Sequence, residues 1–128
     1  MTSKARWLEA FTWPFIVAQN EILCSAKSAH HGPTSDGHAD AMAHWEQARQ
    51  TEISLFYAIE VCRKCHRMAP FTNFNGNTFA AIARILVKRL NLESTQEHIV
   101  RSLAGHIVAG VASDEEIHAF RKFCESLG

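Results

Sequence analysis

The sequence predicts an all-α protein: a single domain over residues 1–128, a bundle of about five helices of which two are long and three shorter. Three observations lead there. Apolar residues recur at steps of three and four, stretches of strict alternation are almost missing, and two Ser-x-x-Glu quartets stand directly before amphipathic runs. A chain of 128 residues that is 47% hydrophobic and 20% charged can close one core without cross-links or metals.

The first helix is expected from Ser3 to Ala29, with Trp7, Phe11, Phe15, Ala18 and Ile22 in helical register. Pro14 lies inside it, so either a kink or two shorter helices meeting near Trp13 is expected. His31-Gly32-Pro33-Thr34-Ser35-Asp36-Gly37 gathers turn residues and reads as a loop where the chain reverses, setting the two long helices antiparallel. The second long helix is expected from His38 to Arg67, with Trp45, Ala48, Glu52, Leu55, Phe56, Ile59, Cys62 and His66 along one stripe.

A second loop follows from Ala69 to Asn77, and its Phe71 and Phe74 are expected to pack onto the body. Shorter helices are then expected over Thr78–Leu90, Thr95–Ala109 and Asp114–Leu127. The last two open on Ser94-x-x-Glu97 and Ser113-x-x-Glu116, the pattern in which serine and glutamate satisfy free amides at a helix start.

Thirteen basic and thirteen acidic residues cancel, so the whole molecule has no field that would draw in nucleic acid or an anionic membrane. Lost charge repulsion favours self-association, and Trp7, Phe11, Trp13 and Phe15 crowd more than one side of the first helix. A homo-oligomer or a protein partner is therefore expected. No stretch reaches the roughly 20 apolar residues of a membrane span. The early apolar run has a signal-peptide outline that Glu9 interrupts, which places the protein in the cytoplasm with its four cysteines as reduced thiols.

Cys62-Arg63-Lys64-Cys65-His66 is the one segment that matches a chemical motif outright. It resembles the attachment site of c-type cytochromes, and Ser113-Asp114-Glu115-Glu116-Ile117 is similar to the start of their last helix. The resemblance implies covalent haem on Cys62 and Cys65 with His66 as proximal ligand. No methionine follows Met68, so His98, His106 or His118 would have to supply the distal ligand. The same three side chains could instead be metal ligands for zinc or iron, with Cys24, Cys124 or a further histidine as fourth. A redox pair is a third option, set against the helix dipole because the pair lies near a helix end. Helix packing offers the alternative: Cys62 and His66 fall in the apolar stripe, where cysteine is an ordinary buried residue.

His30, His31, His38 and His44 bracket the first loop, with Asp36 and Asp40 nearby as possible metal ligands or solvated side chains. Residues 80–102 loosely resemble a helix-turn-helix with Arg84, Lys88, Arg89, His98 and Arg101 available to phosphates, but Glu93 and Glu97 stand where base contacts would form. A nucleic acid partner is accordingly not expected. No nucleophile–base motif and no phosphate loop is found, and Asp114, Glu115 and Glu116 are explained by the charge preference of a first helical turn. The reading favoured by the sequence is a small, soluble, non-enzymatic interaction or regulatory module without a cofactor, acting through an apolar helical surface. A protein that binds metal or haem is the second reading and a DNA-binding regulator the third.

Overall fold

The computed structural model describes residues 4–127. Among them stand six helices: α1 Trp13–Ala26, α2 His38–Arg49, α3 Leu55–Met68, α4 Asn75–Lys88, α5 Ser94–Ala109 and α6 Asp114–Ser126. Two short strands, β1 Lys4–Ala5 and β2 Ile53–Ser54, pair antiparallel with Lys4 opposite Ser54 and Ala5 opposite Ile53. The helical class is as expected, but the count and the two long helices are not: the longest helix, α5, has 16 residues.

Both long helices fail for local reasons. The chain enters α1 only at Trp13, because Thr12 caps it by accepting from the Phe15 amide at 3.3 Å and Pro14 sits at the helix start, where its missing amide hydrogen costs nothing. Pro14 therefore begins a helix and does not kink one. Upstream, Leu8 and Phe11 are buried in a turn closed by the Phe11 amide on the Leu8 carbonyl at 3.0 Å. The second expected helix breaks after Arg49. Thr51 Oγ1 donates back to the Gln47 carbonyl at 2.8 Å, Ile53 and Ser54 join β1, and Ser54 caps α3 by accepting from the Tyr57 amide at 3.1 Å.

The later helices follow expectation more closely. At α6 both halves of the capping box form, Glu116 amide to Ser113 Oγ at 3.1 Å and Ser113 amide to Glu116 Oε1 at 3.0 Å. At α5 the cap is one residue earlier than expected: the Glu93 carboxylate accepts from the Thr95 amide at 2.8 Å. Helix α4 starts at Asn75, inside the expected second loop. Its cap, Phe74, is left-handed (φ 57°), held there as Asn75 bonds both the amide and the carbonyl of Phe71.

Helix α3 is the centre of the bundle, packed against α2, α4, α5 and α6, while α1 closes over α4 and α2. One cluster of buried side chains draws on all six helices. Trp45 lies at its heart, tilted against Phe79 at 5.7 Å, with its indole N–H donated to the Phe11 carbonyl at 2.7 Å. Truncating such a ring costs about 3–5 kcal/mol in a typical core. Phe71 is buried and stacks on Trp13 at 5.8 Å, as expected for a loop that packs down. The two loops also join each other, through Thr34 amide to Pro70 carbonyl at 2.9 Å and Thr72 amide to Gly32 carbonyl at 3.0 Å.

Candidate functional site

The Cys-x-x-Cys-His segment occupies the last two turns of α3, and the helix sends its side chains two ways. Cys62 and Cys65 point inward and are fully buried in the apolar cluster, where Cys65 Sγ reaches the Ala41 carbonyl at 3.8 Å. Burial, only partly offset by the Lys64 charge, pushes the Cys65 thiol up to about 12, and burial together with the neighbouring Cys65 pushes the Cys62 thiol higher still. Cys124 is likewise raised to about 12 by burial and the neighbouring Glu125. Such thiols are neutral at physiological pH and poor nucleophiles. Cys24 is also buried, and all four cysteines are free.

His66 takes the other direction. Its Nδ1 donates to the Val108 carbonyl at 2.8 Å, tying the end of α3 to the end of α5 and leaving Nε2 beside the first turn of α4. Among the described residues no three His, Cys, Asp or Glu side chains gather closely enough to hold a metal ion, so Cys62, Cys65 and His66 are not brought together as one donor set. Ligation of zinc or haem by these three would require both thiols to turn out of the core.

The histidines around the first loop act as braces. His38 Nε2 accepts from the Trp13 indole at 3.3 Å, His30 Nδ1 meets Thr72 Oγ1 at 3.1 Å, and His31 Nδ1 meets Asn20 Oδ1 at 2.8 Å. Asn20, which the sequence does not single out, is a fully buried junction: its Nδ2 donates to the Asn73 carbonyl at 2.7 Å and to Thr78 Oγ1 at 3.1 Å. Its register with Trp13, Ile16 and Cys24, at steps of three and four, is the sequence signal that could have found it. His44 is the exception, since its Nε2 is buried without a partner. Burial first, and then the Lys64 charge, hold its imidazole below the ordinary value.

Two surfaces remain. On α1, Trp13, Ile16, Asn20 and Cys24 face the core, while Phe15, Ala18, Ile22, Ser25 and Ala26 are exposed on the opposite side and include no charged residue. Ile22 is 62% exposed. The second surface is a cleft of about 970 Å³ between the end of α3, the first half of α4 and the outer face of α5. No protein-family model, curated protein or solved structure matches this chain. Function must therefore be argued from these surfaces.

Proposed function

We propose that the chain is a non-enzymatic interaction module that self-associates through the outward face of α1. The observation that carries this is the uncharged strip of Phe15, Ala18 and Ile22, apolar side chains left exposed on a helix whose other face is already used by the core. Lone exposed apolar residues are ordinary, but three at helical spacing form a contact line, here with the exposed Glu21 at its flank. A net charge of zero removes the repulsion that would keep two copies apart. A two-fold axis would lay one α1 against its partner's, burying the same strip on both subunits.

The buried, high-pKa thiols support the non-enzymatic part of the reading, because no activated nucleophile is present among them. Light scattering after gel filtration tests the proposal. The wild-type chain should run at twice 14.4 kDa, and Ile22→Asp should shift it to the monomer with its helical circular dichroism retained. A monomeric wild type at high concentration, or a dimer indifferent to Ile22→Asp, rules it out.

A further inference from the structure

We infer that the cleft between α3, α4 and α5 binds a small organic phosphate. Its walls carry Arg84 from α4, His98, Arg101 and His106 from α5, and His66 from α3, and no aspartate or glutamate lines it. In a chain whose lysines and arginines are matched one for one by acids, two arginines and three histidines have been drawn to one concavity. Among the described residues Arg84 and Arg101 have no carboxylate within ion-pair distance, and only His106 has one, its Nδ1 lying 2.8 Å from Glu116. Guanidinium groups without a partner present planar donor forks suited to phosphate oxygens.

Three further features fit a ligand in this space. The first turn of α4 opens onto the cleft at Gly76 and Asn77, and no side chain caps it, since Phe74 cannot and Asn75 is engaged with Phe71. Its free amides and the helix dipole add to the positive field. Gly76 lets the imidazole rest against the helix start: a β-carbon there would lie 3.1 Å from His66 Cε1 and 3.2 Å from Nε2, close enough that the ring would have to shift by a few tenths of an ångström. Gly105, in the middle of α5, has no such packing reason, because a β-carbon there would meet no atom within 4 Å. A helix-weakening residue kept where a side chain would fit is explained if the floor of the cleft must stay open.

The volume favours an organic phosphate over the bare ion, as it falls in the range of small-molecule sites, and Phe74 is among the lining residues. A nucleic acid backbone suits it less, because Glu93 and Glu97 stand at the entrance to α5.

Calorimetric titration of the full chain with ATP, pyrophosphate, inorganic phosphate and a short DNA duplex, at low and at physiological salt, tests this. ATP should bind one to one and more tightly than inorganic phosphate. Arg84→Gln and Arg101→Gln should each weaken ATP by about tenfold or more. Gly105→Leu should abolish binding while the helical circular dichroism is retained, and Lys122→Gln on α6 should change nothing. Absence of saturable binding up to about 10 mM, equal affinity for ATP and inorganic phosphate, tighter binding of the duplex, or indifference to both arginine substitutions overturns the assignment. None of these readouts depends on the oligomeric state.

Discussion

Single atoms decide several features of this molecule. At Gly37 a β-carbon would lie 1.8 Å from the Met68 carbonyl oxygen, so the start of α2 can touch the end of α3 only through glycine. The backbone there has φ −102°, which any residue adopts, so contact and not conformational freedom fixes the choice. Gly37→Ala should cost about 1–3 kcal/mol, the range of overpacked sites, and lower the thermal midpoint in a calorimetric scan. His44 makes a second prediction. The fold holds its imidazole below the ordinary 6.5, so the unfolded chain takes up the proton more readily and stability is full above that value. As pH falls through 6.5 that contribution is lost. Thermal midpoints measured between neutral and mildly acidic pH should therefore drop, and His44→Gln should drop less.

At the scale of helices, the capping residues separate look-alike signals. Ser94-x-x-Glu97 and Ser113-x-x-Glu116 are equivalent on paper, yet only the second forms a capping box, because Glu93 reaches the α5 amides first. Ser113→Ala should cost about 1 kcal/mol in denaturant unfolding, whereas Ser94→Ala should be close to neutral. The same competition explains the broken second helix. Its helical stripe passes through Glu52, so periodicity joins α2 to α3, while the Thr51 and Ser54 hydroxyls and the pairing of Ile53 and Ser54 with β1 offer the backbone better partners. Thr12 before Trp13-Pro14 was an equally legible start signal, obscured by apolar residues that continue the helical spacing upstream.

For the whole molecule, the four thiols provide the clearest test. They come from α1, α3 and α6 and all are buried, Cys62, Cys65 and Cys124 in the common core and Cys24 against Asn20, so a thiol reagent can reach them only by opening the bundle. Native protein should release almost no colour with a disulfide reagent, and denaturant should expose all four together in the unfolding transition. Rapid reaction of two thiols in native buffer, or a Soret band in the purified protein, would place Cys62 and Cys65 outside the core. Among the described residues no helix is long and apolar enough to cross a membrane, in keeping with the sequence.

The all-α class, the start of α2 at His38, the α6 capping box and the loop at Gly32-Pro33 were all legible in the linear sequence. Each rests on neighbours within about one helical turn, and such short-range chemistry is written directly in residue order. The break between α2 and α3, the different directions taken by Cys65 and His66, and the cleft could not be read the same way. Adjacent residues on a helix point 100° apart, and which of the two meets the core depends on where α5 lies. The basic cleft joins residues 66, 84 and 98–106 from three helices. The helix-turn-helix reading groups Arg84, His98 and Arg101, but nothing local adds His66 and His106 to them, because that proximity follows from burial of the opposite faces of those helices.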